Sequence, residues 1–220
     1  MINGEVSTII PCFNGEAFLK DALESVVRQG DLIGEVIIVD DGSSNPVSNP
    51  SQLNNDVLKI IRQENKGQGS ALNRGIAESS LPFIAILDHD DIWQEDKTRR
   101  QLKLIQEHDA DVVIGEVVNF RSLKGEVIES RNLGTARVFG ACLFRRQVFE
   151  EVSVITEDRR IHEVIDWWSR TKDQLKTVED REVALFRRIH GGNQTLNKRY
   201  IDHSDLIARV RQNLDRHHRN

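Results

Sequence analysis

Two adjoining segments decide the fold of this chain: VSTIIPCFNGEAFLKDALESVVRQG, residues Val6–Gly30, and EVIIVDDGSS, residues Glu35–Ser44. Each contains a short apolar run, which is typical of a strand buried on both faces. Between the runs, apolar residues recur at helical spacing, with Asn14 placed to cap the helix and Gly30 placed to end it. A strand, a helix and a second strand predict a parallel βαβ unit.

The alternation of strands and helices continues along the chain. Further strands are predicted in VLKIIRQ, PFIAILD, DVVIGEVVNF, FGACLFRR and VALFRR, and GEVIES is expected to pair with a neighbour. Further helices are predicted in GQGSALNRGIAESS, in residues 94–108 with Leu102 and Ile105 turned inward, in EVIDWWSRTK and in the last segment. The predicted fold class is α/β, with a mostly parallel central sheet and helices on both faces.

Composition narrows the class of protein. The chain has 220 residues, a length that is enough for one large domain or one domain with a small appendage. Its formal net charge is -5. No basic stripe favours a nucleic-acid partner, and no apolar run reaches the roughly 20 residues of a membrane helix. Cys12 and Cys142 lie far apart in apolar settings, which indicates two reduced thiols. We therefore expect a cytoplasmic protein without a transmembrane segment or signal peptide.

Polar clusters follow three of the predicted strands: Cys12–Asn14, Asp40–Asp41 and Asp88–Asp91. In open α/β sheets, ligands bind beyond the carboxyl ends of the strands, so the three clusters point to one site. The aspartates of AILDHDDIW repel one another, and a hard cation such as Mg²⁺ or Mn²⁺ relieves that repulsion. The alternative is helix capping, which Asp91 is well placed to perform, and Trp93 is expected to pack in the core.

Three further motifs have competing interpretations. The stretch VDDGSS resembles the acidic pocket of a response-regulator receiver, but the later Asp-His-Asp-Asp cluster does not fit that fold; Asp41 also suits a role in a local turn. NKGQGSALNRG is neither a Walker A loop nor a dinucleotide fingerprint, although its helix start can face an anion. RRIHGGN is either an ordinary surface loop or a loop that brings Arg188 and His190 to a diphosphate.

Four motifs, VSTIIPCFNGEAFLKDALESVVRQ, EVIIVDDGSS, NKGQGSALNRGI and FIAILDHDDIW, resemble in their order and spacing the family-2 glycosyltransferases of GT-A fold. The resemblance implies a nucleotide-diphosphate-sugar donor and a divalent metal, Mn²⁺ or Mg²⁺. The implied donor-binding residues are Pro11, Cys12, Phe13, Asn14, Glu16, Asp40 (which meets the base), Lys66, Arg74 and Asp88. Asp88 and Asp90 occupy the Asp-x-Asp motif of the family. We also expect His190 among the metal ligands and Arg188 at the diphosphate.

Two departures from the family pattern affect the predicted site. Leu72 stands where the family often has an arginine, so Lys66 or Arg74 is assigned to the phosphates instead. Val164 stands where many members have the catalytic aspartate, which leaves Glu163 and Asp166 as candidates for the base. Three residues apart on a helix, both carboxylates can lie on one face, and we prefer Asp166 at this stage.

The sequence thus predicts a metal-dependent, inverting glycosyltransferase that acts on a carbohydrate, lipid-linked or peptide acceptor. Residues 1–197 are expected to form one GT-A-like domain, with 1–110 on the donor side and 111–197 on the acceptor side. Residues 198–220 are expected to form a solvated helical tail. The inner membrane surface is a second possible location, and the oligomeric state is open. One rival hypothesis is a sugar-nucleotide-binding protein that is impaired in catalysis. The other is a nucleotidyltransferase, but this chain does not have the glycine-rich loop with which those enzymes usually begin.

Overall fold

The computed structural model of this chain describes residues 4–49, 53, 56–123, 126–158 and 162–191. Their strands are β1 (Val6–Cys12), β2 (Ile33–Asp40), β3 (Leu58–Arg62), β4 (Phe83–Ile86), β5 (Ile92–Trp93), β6 (Val112–Leu123), β7 (Glu126–Thr135), β8 (Cys142–Arg145) and β9 (Thr177–Arg188). Their α-helices are α1 (Glu16–Val27), α2 (Gln68–Glu78), α3 (Lys97–Glu107) and α4 (Glu163–Thr171). The predicted tail, 198–220, lies outside the described residues.

One sheet contains all of these strands, in the order β3-β2-β1-β4-β8-β6-β9-β5, with β7 paired to β6. The donor-side strands β3, β2, β1 and β4 are mutually parallel, as the βαβ pattern predicts. Strand β8 joins β4 and β6 antiparallel, whereas β6 and β9 run parallel. The sheet therefore continues through both predicted halves of the chain. Strand β9 begins at Thr177, six residues earlier than the apolar pattern indicated, because its first half, TVEDRE, is almost entirely polar.

Helices cover both faces of the sheet, and each face has its own core. On one face Leu19 and Leu23 of α1 pack with Leu102 and Ile105 of α3, which confirms the inward prediction for the last two. On the other face α2 packs together with α4, whose Trp167 is fully buried among Phe139, Phe144 and Phe149. No helix among the described residues is both long and apolar enough to cross a membrane.

Two capping predictions were wrong. Helix α1 begins at Glu16 after Gly15, and the Asn14 side chain instead accepts a hydrogen bond from the backbone N–H of Ser44. Helix α3 begins at Lys97 after Asp96, six residues beyond Asp91, so Asp91 caps nothing there. The packing role of Trp93 is confirmed, because its ring is buried and its indole N–H donates to the Gly140 carbonyl. Cys12 and Cys142 are buried free thiols, as predicted.

Lys97 makes the fold sensitive to pH. Its side chain is fully buried, and its ammonium donates to the Cys142 carbonyl and lies over the Trp93 ring, with Asp180 and Arg100 as charged neighbours. Burial lowers the pKa of Lys97 from 10.5 to about 7. Between these values the unfolded chain binds more protons than the folded one, so the free energy of unfolding rises with pH.

We therefore expect the free energy of unfolding to rise by on the order of 1 kcal/mol per pH unit between pH 7.5 and 8.5 because of Lys97. Lys97→Met removes the titrating group and retains most of the volume, so it should lose this rise. Urea unfolding of both proteins at several pH values measures the difference. Parallel pH profiles for the two proteins would show that Lys97 is not responsible.

Candidate functional site

The ends of β1, β2 and β4 meet at one edge of the sheet. The Asn14 N–H donates to the Ser43 hydroxyl, which links the turn after β1 to the turn after β2. His89, in the turn after β4, places its Nδ1 3.2 Å from the Pro11 carbonyl oxygen, and its ring packs so closely on Gly15 that a Cβ there would lie 1.9 Å from it. The three predicted polar clusters are thus held together, with Phe13 41% exposed and Glu16 also at the surface.

Asp40 and Asp41 are bonded within the protein. Asp40 is 1% exposed and accepts hydrogen bonds from the N–H groups of Ser43 and Val47 and from Arg62. Burial alone would raise the pKa of Asp40, but these partners hold it below its ordinary value. Asp41 accepts from the N–H groups of Lys66 and Gly67, so it satisfies a neighbouring loop rather than its own turn. Both carboxylates shape the wall of the nucleoside region predicted around Asp40.

Asp88, Asp90 and Asp91 form the acidic cluster that the sequence predicts. One carboxylate oxygen from each lies within 4.8 Å of the others. Burial, followed by the charge of Asp90, raises the pKa of Asp88 to about 6, and burial and its neighbours raise that of Asp91 strongly. His190 Nε2 lies 2.9 Å from Asp90 Oδ2, so the loop after β9 reaches the cluster. The arrangement concentrates negative charge that a cation would neutralise.

Arg188 has a different role from the predicted diphosphate contact. Its guanidinium lies between the rings of Phe18 and Phe120 and forms a 2.8 Å ion pair with Asp21 of α1. Its backbone N–H donates to Asp91 Oδ1, and its Nε donates to the Asp90 carbonyl. Arg188 therefore fixes the acidic loop against α1 from inside the protein.

The start of α2 faces the acidic cluster. The Gln68 side-chain amide donates to Asp88 Oδ1 at 2.8 Å, and Gly67 precedes it with a φ of 96° that favours glycine. Arg74, by contrast, lies on the outer face of α2 and pairs with Glu78, and the Lys66 side chain is exposed. Gln68, rather than Arg74, is thus the α2 side chain that the structure brings to the aspartates.

Of the two carboxylates considered for the base, Glu163 is the one at the cluster. It is the first residue of α4, its charge acts on Asp88, and burial raises its own pKa. Asp166 points to Arg170, with which it forms a 2.8 Å ion pair. Val164 packs against the core. The structure therefore separates two residues that the sequence left on one helix face.

Two polar residues near the cluster, His162 and Arg187, were missed by the sequence analysis, and His89 was named there only as a member of the Asp-His-Asp-Asp cluster, without a role of its own. The charge of Arg187 acts on Asp88, Asp91 and His162, and the Nδ1 of His162 is buried with no hydrogen-bond partner in the described part of the chain. Strand alternation was an available signal for Arg187, because successive side chains of a strand point to opposite faces and only one of two adjacent arginines can face α1. His89 and His162 had no comparable signal, since each depends on a long-range contact.

The fold and the site together define a class of protein. A parallel sheet that gathers an acidic cluster, a glycine-preceded helix start and two strand-end turns at its carboxyl edge is typical of nucleotide-binding α/β domains. The sequence profile of "Glycosyl transferase family 2" matches residues 7–153. The chain belongs to this family, and its fold is of the GT-A type.

Individual relatives agree with this assignment. Glycosyltransferase GlyG of Streptococcus pneumoniae is 33% identical over 124 residues, which cover 54% of this chain and 41% of GlyG. An uncharacterized glycosyltransferase of Nostoc sp. is 28% identical over 218 residues, covering 88% of this chain and 67% of that protein. Staphylococcus aureus TarS 1-349 in complex with UDP-GlcNAc superposes with a TM-score of 0.71 at 16% identity, over 88% of this chain and 61% of TarS 1-349. The chain thus spans two fifths to two thirds of these relatives.

Proposed function

We propose that this chain is the catalytic domain of a metal-dependent, inverting glycosyltransferase that uses a nucleotide-diphosphate sugar. The observation that carries the proposal is the cluster of Asp88, Asp90 and Asp91 at the edge where β1, β2 and β4 end. Family membership supports the reaction class. The UDP-GlcNAc bound to TarS supports a uridine diphosphate sugar as the first donor to test.

The residues of the cluster fit a divalent cation. The three carboxylates form an oxygen-rich site of the kind that Mn²⁺ or Mg²⁺ prefers. The pKa values of two of them, Asp88 and Asp91, are raised. Asp88, Asp90 and Asp91 would hold the ion, with His190 as a further ligand through the nitrogen that now meets Asp90. The ion would neutralise charge on the departing nucleotide diphosphate.

The chain's own groups have distinct proposed tasks. The turn Pro11–Glu16 and the buried Asp40 wall would hold the nucleoside, and Gln68 would orient the Asp88 carboxylate. Glu163 would accept the proton of the acceptor hydroxyl while that oxygen forms a bond to the anomeric carbon and the bond to the diphosphate oxygen breaks. Attack from the face opposite the leaving group inverts the anomeric centre. We prefer Glu163 over Asp166 as the base, because the Asp166 carboxylate forms an ion pair with Arg170.

A second candidate function is sugar-nucleotide binding without turnover. Its support is Val164, which stands where many family members have the catalytic aspartate and which packs against the core. This candidate predicts donor binding without release of nucleotide diphosphate under any acceptor condition.

The direct test is incubation of the protein with a panel of nucleotide-diphosphate sugars, with Mn²⁺ or with EDTA. We expect Mn²⁺-dependent release of the nucleotide diphosphate from one donor, by slow transfer to water where no acceptor is present, measured by liquid chromatography. Release that is equal in Mn²⁺ and EDTA would contradict the metal requirement. Binding without release from any donor would favour the second candidate.

A further inference from the structure

A row of polar residues crosses three neighbouring strands beside the acidic cluster. Asn119 of β6 pairs in register with Arg187 of β9 on one side and with Arg131 of β7 on the other. Directly paired residues point to the same face of a sheet, so the three side chains share one face. Neighbouring strands lie about 4.8 Å apart, so the row extends roughly 10 Å.

The residues that follow in β6 and β9 identify which face this is. Phe120 and Arg188 contact each other and belong to the α1 side, where Arg188 meets Phe18 and Asp21. Asn119 and Arg187 immediately precede them, so their side chains point away from Phe18 and Asp21. His162, the residue before α4, lies within reach of the charge of Arg187. The backbone N–H of Arg188 is bonded to Asp91 Oδ1, and the charge of Arg187 acts on Asp88, so the row begins beside the acidic cluster.

Two buried polar atoms along this row have no hydrogen-bond partner among the residues that the structure describes: Asn119 Oδ1 and His162 Nδ1. A buried polar group without a partner is costly, and such a group needs an explanation, such as a role in catalysis or in binding. Both atoms flank Arg187. Arg131, at the outer end of the row, is exposed. Two cationic side chains with unpaired polar atoms between them suit a ligand with a negative charge and hydroxyl groups.

Resting on the proposed function, we infer that the row Arg131–Asn119–Arg187, with His162, is the acceptor subsite and selects an acceptor that carries a phosphate group. Arg187 lies nearest the reacting centre and Arg131 farthest from it. A phosphate bound between them places hydroxyl groups of the same acceptor within one or two sugar or polyol units of Glu163. A neutral acceptor would form only the hydrogen bonds with this row and with His162, without the ion pairs to the two arginines.

The test uses the protein with saturating UDP and Mn²⁺, which fill the donor side, and titrates glycerol 3-phosphate against glycerol by calorimetry. We expect the phosphate ester to bind at least about 10-fold more tightly than glycerol, and Arg131→Gln to weaken it roughly 10-fold. The matched control, Arg181→Gln, removes the same charge from an exposed position earlier in β9 and should leave this affinity unchanged.

The outcomes separate this inference from the proposed function. If UDP and Mn²⁺ bind but the phosphate ester binds no better than glycerol, or binds equally to Arg131→Gln, the inference is overturned and the transferase proposal stands. If UDP with Mn²⁺ does not bind the wild type, both fail. Sedimentation with phosphatidylglycerol or phosphatidylcholine vesicles distinguishes a lipid phosphate from a soluble one. Binding to either source supports the inference only where Arg131→Gln reduces it.

Discussion

Glu163→Gln should lower the turnover number roughly 10²- to 10⁴-fold and leave the affinity for the donor nearly unchanged. A positioned general base contributes a factor of this size, and the amide keeps the shape of the side chain but cannot accept the proton. Glu163 starts α4 beside Asp88, and no described residue places a second unpaired carboxylate at that helix start. Steady-state kinetics together with calorimetric donor binding measures both quantities.

Asp166→Asn is the matched comparison, because it changes a carboxylate to an amide one turn along the same helix. Loss of the Asp166 carboxylate breaks the ion pair with Arg170, which costs at most about 1 kcal/mol of stability for a partly exposed pair. We expect its turnover number to stay within a few-fold of the wild-type value. A large loss in Asp166→Asn with normal turnover in Glu163→Gln would reverse the assignment.

Local sequence predicted the donor side of the fold well. The apolar runs of β1, β2 and β4 are buried on both faces, so their pattern is nearly continuous and hard to mistake. Their polar ends meet because parallel strands end at the same edge, and this rule correctly brought the Asp88–Asp91 segment beside Asn14 and Asp40. Topology therefore supplied long-range contacts that no single motif contains.

The acceptor side was less predictable for physical reasons. Asp166 was preferred as the base without regard to Arg170, which lies one turn further along the helix and donates to the Asp166 carboxylate. The Arg170 guanidinium also contacts the loop that precedes α4. Arg188 was assigned to a ligand because it is a cation near glycines, whereas its guanidinium packs against two aromatic rings and forms an ion pair with Asp21. Both outcomes depend on contacts between distant segments, and a single sequence carries little information about them.

Asp90→Asn should abolish the metal-dependent part of donor binding and lower turnover by at least about 100-fold. Asp90 contributes one of three clustered carboxylates, and it also meets His190, so its loss removes one proposed ligand and the partner of another. Changes at partners of metal ligands alone typically cost 10- to 100-fold in affinity or activity, and removal of a ligand should cost more. Asp173→Asn, at an exposed position after α4, is the control and should retain full activity.

We propose above all that the acidic cluster holds a divalent ion that receives a nucleotide diphosphate. Thermal unfolding of the wild type and Asp90→Asn, each with UDP plus Mn²⁺ or UDP plus EDTA, tests it most directly. At a UDP concentration about 100 times the dissociation constant, the wild-type midpoint should rise by roughly 5 °C with Mn²⁺ only. Asp90→Asn should show no Mn²⁺-dependent rise. An equal rise in the variant, or a wild-type rise that EDTA leaves intact, would show that the acidic cluster does not hold a metal ion for the nucleotide diphosphate.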